Sequence, residues 1–158
     1  MWAVWSTVGS NPTPSACRNG LDQGELMADW DDVRRIALAL PETGEQASHG
    51  HASWRVRDKM FVWERPLRPA DVRALGDRAP TGPILGARVE HLVAKDALLA
   101  DDPDVFLTTP HFDGFPAVLV RLDRITVKDL EEVIVEAWLA RAPKRVAKEY
   151  VERVLGER

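Results

Sequence analysis

Residues 106–123, FLTTPHFDGFPAVLVRLD, constrain the fold more than any other part of the chain. Asp113-Gly114 predicts a tight hairpin turn, because both central positions of that turn need positive φ, which glycine adopts freely and aspartate more readily than most residues. The next residues, 117–122, predict a buried strand that places alternate apolar side chains on one face, namely Val118, Val120 and Leu122. The segment therefore predicts antiparallel strands around a single histidine, His111.

Helices are predicted on both sides of the strand region. The first begins at Asp29 or Trp30 and ends at Leu40, because Pro41 disfavours helical geometry in the residue before it. Residues 126–129, TVKD, are typical of a helix N-terminus that starts a long helix, with a core stripe of Leu130, Ile134, Ala137 and Trp138. That helix is expected to stop near Ala142, and a final helix is expected from Pro143 to about Leu155.

The middle of the chain predicts strands. Residues 53–57 and 60–63 are expected to form a β-hairpin around an Asp58-Lys59 turn, and residues 84–89 to form a further strand. Short helical segments are expected at 70–75 and 95–100. Antiparallel hairpins flanked by N- and C-terminal helices predict an α+β fold, a compact two-layer sandwich.

The chain of 158 residues has the length of one domain. Residues 1–26 contain turn-forming residues without apolar periodicity and are predicted to be a disordered leader, with Met27 as a candidate natural start. Residues 27–158 are predicted to form the folded domain.

Composition excludes several classes of function. The net charge of −4 gives no general attraction to polyanions, and the single cysteine, Cys17, excludes an intrachain disulfide. The chain lacks an apolar run of about 20 residues, so no membrane association is expected and a cytoplasmic location is predicted. Phosphate-loop, dinucleotide, nucleophile-elbow and zinc-protease motifs are absent, so neither a cofactor nor a catalytic residue is predicted.

Two histidines, His49 and His51, would project to the same side of an extended segment near Glu45. Paired histidines alone are a weak signal for a metal, and a role at the entry to a strand is favoured, so no metal site is predicted.

Several segments together resemble the YjbR-like family, also called MmcQ/YjbR, over roughly residues 27–155. The segments are 39–43 (ALPET), 61–67 (FVWERPL), 95–99 (KDALL), 106–112 (FLTTPHF), 136–138 (EAW) and 142–145 (APKR). The resemblance implies a fold likened to that of CyaY and frataxin, and a common description as a DNA-binding protein. The family's histidine followed by an aromatic residue falls on His111-Phe112, where many relatives have tryptophan after the histidine.

Cationic clusters suggest where DNA would bind. The leading hypothesis is weak, salt-sensitive, non-enzymatic DNA binding through a hairpin cluster and a cluster at the junction of the last two helices. The hairpin cluster is Arg55, Arg57 and Lys59, and the junction cluster is Arg141, Lys144, Arg145 and Lys148. The bland alternative is a set of solvated charges, since residues 148 and 152, and 149 and 153, have the spacing of ordinary helical ion pairs.

An alternative function is a protein or small-ligand interaction module centred on His111 and Trp63, with Arg65 and Thr109 as further ligand-binding residues. His111 is also a candidate general base, but a histidine that bonds a turn backbone while Phe112 and Phe115 enter the core is favoured, because no further acid, base or oxyanion group is recognisable.

Overall fold

The computed structural model describes residues 27–156. Their elements in chain order are α1 (Trp30–Leu38), β1 (Thr43–Ser48), β2 (His51–Val56), β3 (Lys59–Glu64), α2 (Pro69–Leu75), β4 (Ile84–Arg88), α3 (Leu92–Asp101), β5 (Phe106–Leu107), β6 (Ala117–Arg121), α4 (Val127–Arg141) and α5 (Lys144–Gly156). The predicted leader, residues 1–26, and Cys17 within it lie outside the described residues.

The strands form one six-stranded sheet in the order β1-β2-β3-β4-β6-β5, and every neighbouring pair is antiparallel. This is the predicted α+β fold with an antiparallel sheet. Among the helices of residues 27–156, none is long and apolar enough to cross a membrane.

The two faces of the sheet differ in what covers them. The first face packs against α1, α4 and α5 and holds the larger core, which includes the fully buried Trp54 and Trp138. The second face carries a smaller apolar cluster of Ile84, Phe112, Ala117 and Leu119, with Trp63, Leu67 and Leu107 packed against it. Both faces of β6 are therefore buried, which explains its nearly continuous apolar sequence.

Helix termini follow the sequence signals. Asp29 and Asp32 exchange side-chain to backbone hydrogen bonds of 3.0 Å in each direction, which forms a capping box at the start of α1. Thr126 accepts a hydrogen bond from the backbone N–H of Asp129 at 3.2 Å and caps α4. The predicted core stripe of α4 is confirmed, since its four residues are fully buried.

Both predicted turns are wrong in detail. The hairpin of β2 and β3 turns at Arg57-Asp58, one residue earlier than predicted, with Arg57 at φ 57°. At the second turn only Gly114 has positive φ, at 75°, while Asp113 has φ −61° and ψ 129°. These angles, with the 3.0 Å hydrogen bond from Phe115 N–H to the Phe112 carbonyl, define a type II turn within a longer connection from β5 to β6.

Strand β1 was missed because TGEQAS has no apolar alternation. It is an edge strand with mostly exposed side chains, so its ladder with β2 is formed by backbone groups that sequence periodicity does not report. Helix α3 begins earlier than predicted, because His91 caps it by accepting a hydrogen bond from Ala94 N–H at 3.1 Å.

Candidate functional site: a cationic groove

A groove of about 870 Å³ opens on the second face of the sheet. Elements that are distant in sequence line it: β2, β3, the segment between β3 and α2, the end of β4, the connection from β5 to β6, and the last residue of α4. Its cationic side chains are Arg55, Lys59, Arg65, Arg68, Arg88 and Arg141, whereas its acidic side chains are Asp58 and Glu64. The groove is therefore positive although the whole chain has a net charge of −4.

Strand register divides the floor of the groove into two rows. In the first row Ser53 pairs with Trp63, and Trp63 pairs with Gly86 of β4. In the second row Arg55 pairs with Met60, and Arg88 lies two residues beyond Gly86 on the same face of β4. The first row is aromatic and the second is cationic.

Gly86 makes the aromatic row possible. A Cβ atom at this position would overlap the indole ring of Trp63, so the ring lies flat against the backbone of β4. The Trp63 ring also packs near Phe112, with 6.3 Å between ring centroids. Trp63 is consequently half-buried, with part of its side chain lining the groove.

The cationic row has no counter-charge. The Nε atoms of Arg55, Arg88 and Arg141 are hidden from solvent and have no hydrogen-bond partner within residues 27–156. None of the three forms an ion pair there, and the one side-chain bond of Arg55 is from Nη1 to the Asp58 carbonyl at 3.4 Å. Burial lowers the pKa of Arg88, and the positive charge of Arg141 lowers it further. An anion placed among these groups would relieve both unfavourable effects.

A buried ion pair fixes one wall of the groove. Arg65 Nη2 lies 3.1 Å from Asp71 Oδ2, and the two side chains are only 8% and 5% exposed. Asp71 also accepts a hydrogen bond from the backbone N–H of Arg68 at 2.9 Å. Burial alone would raise the pKa of Asp71, but this hydrogen bond and the charge of Arg65 lower it below its usual value. The pair therefore ties α2 to the end of β3.

A buried lysine fixes the connection from β5 to β6, which also lines the groove. Lys95 of α3 is 4% exposed, and its Nζ donates hydrogen bonds to the carbonyls of Phe112 at 2.6 Å and Phe115 at 3.0 Å. Burial lowers the pKa of Lys95. Its position explains the turn between β5 and β6, because the ammonium group holds both ends of the type II turn.

Aromatic rings order two of the arginines. The guanidinium carbon of Arg65 lies 5.2 Å from the ring centroid of Phe112, and that of Arg88 lies 4.7 Å from the centroid of Phe115. Phe112 is buried as predicted, but Phe115 does not enter the core and is 40% exposed at the groove. His111 is exposed beside Phe112, with ring centroids 4.9 Å apart, and has no bond to a turn backbone. The prediction for His111 and Phe115 was therefore wrong.

The predicted DNA-binding residues separate into two groups. Arg55, Lys59 and Arg141 line the groove. The others lie outside it, and most are paired: Arg57 with Glu42 at 2.7 Å, Arg145 with Glu149 at 3.2 Å, and Lys148 with Glu152 at 4.0 Å. Lys144 is exposed at the start of α5. Arg57 lies in the turn between β2 and β3 and pairs with Glu42, so it does not line the groove with Arg55.

The residues predicted for the ligand alternative meet more closely. Trp63, Arg65 and His111 all line the groove, while Thr109 is buried beside the Asp71 carboxylate and helps to lower its pKa. Sequence reasoning missed Arg68 and Arg88. Arg88 was detectable, because period-two alternation in the strand predicted for 84–89 places Ile84, Gly86 and Arg88 on one face, opposite the core residues Leu85 and Ala87.

The histidines at the rim do not assemble a metal site with Glu45. His51 Nδ1 lies 3.0 Å from Glu64 Oε1, whereas Glu45 accepts hydrogen bonds from Arg34 at 2.8 Å and Trp54 at 3.0 Å. Within residues 27–156, no three histidine, cysteine or acidic side chains come together in a way that could hold a metal ion.

Comparisons with known proteins agree with this architecture. The chain is 55% identical over 128 residues to the uncharacterized protein Rv2570 of Mycobacterium tuberculosis and to the uncharacterized protein Mb2600 of Mycobacterium bovis, which covers 79% of this chain and 97% of each relative. It is also similar to the crystal structure of Deinococcus radiodurans protein DR2400, with its DUF419 domain, at a TM-score of 0.54 and 18% identity over 72% of this chain and 78% of that one. The family model named YjbR matches residues 38–140. The chain therefore belongs to the YjbR family.

Proposed function

We propose that this protein binds a small anionic ligand in the cationic groove. The observation that carries the proposal is the set of three guanidinium groups, on Arg55, Arg88 and Arg141, whose Nε atoms are hidden from solvent and have no partner within residues 27–156. Buried donors normally have partners, because leaving one unpaired costs about 1–3 kcal/mol, and more for a charged group. A phosphate or carboxylate bound in the groove supplies the missing negative charge to these half-buried side chains.

The alternative reading of these arginines as ordinary surface charges does not fit their surroundings. Solvated cations are exposed or form i, i+4 pairs, as Arg145 and Lys148 do on α5. Arg88 and Arg141 instead approach each other closely enough for the charge of Arg141 to lower the pKa of Arg88. Within residues 27–156 neither Arg88 nor Arg141 forms an ion pair, and such neighbouring guanidinium groups are suited to receive an anion.

Concavity favours a small ligand over duplex DNA. Small-molecule pockets usually have volumes of about 300–1,000 Å³, and this groove falls within that range. Its three unpaired arginines, Arg55, Arg88 and Arg141, all line this one groove. The proposal places this binding in the cytoplasm, because a chain with a single cysteine forms no intrachain disulfide.

Charge reversal at the rim tests the proposal. In Arg141→Glu, we expect affinity for pyrophosphate to fall by about tenfold or more, because one charge-assisted contact contributes about 1.5–3 kcal/mol. Isothermal titration calorimetry at fixed ionic strength measures the affinity. Arg124→Glu is the matched control, since Arg124 is exposed after β6, lies outside the groove and undergoes the same change in charge.

Two results would contradict the proposal. Equal losses in the Arg141 and Arg124 variants would show that pyrophosphate responds only to net charge. If the wild-type protein does not bind pyrophosphate at all, the unpaired arginines have no ligand of this kind. Thermal denaturation of both variants establishes that each one is folded.

DNA binding is the second candidate, and one observation favours it. The pKa of Glu42 is lowered first by a hydrogen bond from Arg57 and also by the positive charge of Arg145, so both predicted clusters place positive charge near Glu42. If this edge bound a duplex through about four phosphates, the logarithm of the affinity would fall against the logarithm of the salt concentration with a slope of about −3.6. Anisotropy of a labelled duplex measures that slope. Loss of binding in Lys144→Glu with pyrophosphate affinity intact would favour DNA at this edge.

A further inference from the structure

The division of the groove into two rows points to the class of ligand. We infer that the ligand joins a planar aromatic ring to an anionic group and is of the mononucleotide type; this inference depends on the proposed function being correct. The ring would lie on the aromatic row, against Trp63, and the phosphate would lie on the cationic row, among Arg55, Arg88 and Arg141.

The spacing of the two rows matches a ligand with two ends. Gly86, which supports the Trp63 ring, and Arg88 lie on the same face of β4 and are two residues apart. A strand rises about 3.3 Å per residue, so the rows are separated by about 6.6 Å along β4. A nucleoside monophosphate holds its base and phosphate on opposite sides of one sugar, which suits a separation of this order.

Two aromatic rings line the groove, Trp63 and Phe115, and each lies near the buried ring of Phe112. Phe112 lies at the centre, 6.3 Å from Trp63 and 6.2 Å from Phe115 between ring centroids. Phe112 is buried, while Trp63 is half-buried and Phe115 is exposed at the groove. An exposed phenylalanine next to unpaired arginines is poorly explained by a bare anion, which makes no use of apolar surface. A base stacks on such rings, and base stacking on an aromatic side chain contributes measurably to binding.

The connection from β5 to β6, which carries Phe115, fits the same ligand. Arg88 of the cationic row lies over the Phe115 ring, with 4.7 Å between its guanidinium carbon and the ring centroid. Lys95 fixes the turn that carries Phe115 through the carbonyls of Phe112 and Phe115. These contacts order the groove before a ligand arrives. Arg88 and Lys95 each hold Phe115 in place, which lies beside the cationic row.

Three probes separate the contributions of ring and anion. We expect adenosine 5′-monophosphate to bind at least about fivefold more tightly than ribose 5-phosphate, because stacking adds to the phosphate contacts, and adenosine to bind more weakly than either. In Trp63→Leu the advantage of the nucleotide over ribose 5-phosphate should shrink to about twofold or less, while affinity for ribose 5-phosphate stays close to wild type. Calorimetric titrations measure all of these affinities. Tryptophan fluorescence gives an independent readout, since the nucleotide should quench wild-type emission and quench Trp63→Phe less.

The outcomes distinguish this inference from the proposed function. Equal affinities for the nucleotide and ribose 5-phosphate, or quenching that is unchanged in Trp63→Phe, would overturn the aromatic part and leave anion binding intact. Binding of pyrophosphate without binding of either sugar phosphate would also overturn it. Failure of all the anions, pyrophosphate included, would remove the proposed function and the inference together. If Trp63→Leu does not fold, the fluorescence comparison with Trp63→Phe decides.

Discussion

Replacement of Asp71 by alanine is expected to lower the free energy of unfolding by about 3–5 kcal/mol, because it leaves the buried charge of Arg65 without its partner. Arg65 and Asp71 are 3.1 Å apart and almost fully buried. Asp71 also caps the backbone of Arg68 at the start of α2, so its loss removes that hydrogen bond as well. Urea denaturation measures the change. Asp77→Ala is the control, since Asp77 is exposed in the short 3-10 turn after α2.

The pH dependence gives this prediction a sign. The folded protein holds the pKa of Asp71 below its ordinary value of 3.8, so the unfolded chain binds the proton more readily. The contribution of Asp71 is therefore present above pH 3.8 and is lost as the pH falls through the folded pKa. The wild type and Asp71→Ala should converge in stability under acidic conditions. A difference that stays constant down to that range, or a loss at neutral pH no larger than that of Asp77→Ala, would contradict the role of the pair.

Reversal of charge at Arg88 is expected to weaken anion binding by about 100-fold, which is the largest functional effect of a single substitution in the groove. Arg88 is the member of the cationic row that lies nearest to Gly86 on β4, and its Nε has no partner within residues 27–156. Arg88→Glu removes a charge-assisted donor, which contributes about 1.5–3 kcal/mol, and also places a carboxylate against the incoming anion. Calorimetric titration with pyrophosphate measures the loss.

Two companion variants show whether that loss comes from the groove. Arg88→Lys keeps the charge but removes the planar donor and its packing on Phe115, so it should bind with intermediate affinity. Arg124→Glu should bind like wild type. The account fails at this position if Arg88→Glu, folded by circular dichroism, keeps wild-type affinity.

Much of the fold could be predicted from the sequence because its signals are local. The start of α1 at Asp29 or Trp30, the helix start at Thr126 and the apolar stripe of α4 each depend on residues within one or two turns of helix, and the structure confirms them. Strand β1 could not be predicted, since its polar edge sequence has no apolar alternation and its pairing with β2 is a backbone ladder. The turn at Arg57-Asp58 was predicted one residue too late. Its position depends on the β2–β3 register, which shifts at Trp54 and Arg55.

The candidate site was predicted only in fragments. Trp63, Arg65 and His111 were assigned to one hypothesis, and Arg55, Lys59 and Arg141 to another, yet the fold brings both sets into one groove. Sequence shows which residues are cationic, but it does not show which cations find a carboxylate. Arg57 finds Glu42, fifteen positions away in sequence, whereas Arg55 finds only a backbone carbonyl. That difference arises from tertiary contacts and separates the paired surface charges from the residues proposed to bind the anion.

Proton and nitrogen NMR of the arginine Nε–H groups tests the central claim most directly, because it observes the groups on which the claim is based. On addition of pyrophosphate, the Nε–H signals of Arg55, Arg88 and Arg141 are predicted to shift together along one binding curve, while those of Arg124 and Arg145 stay in place. Assignment by single Arg→Lys variants identifies each signal. Shifts confined to Arg145, or no shift in any groove arginine at saturating pyrophosphate, would contradict anion binding in the groove.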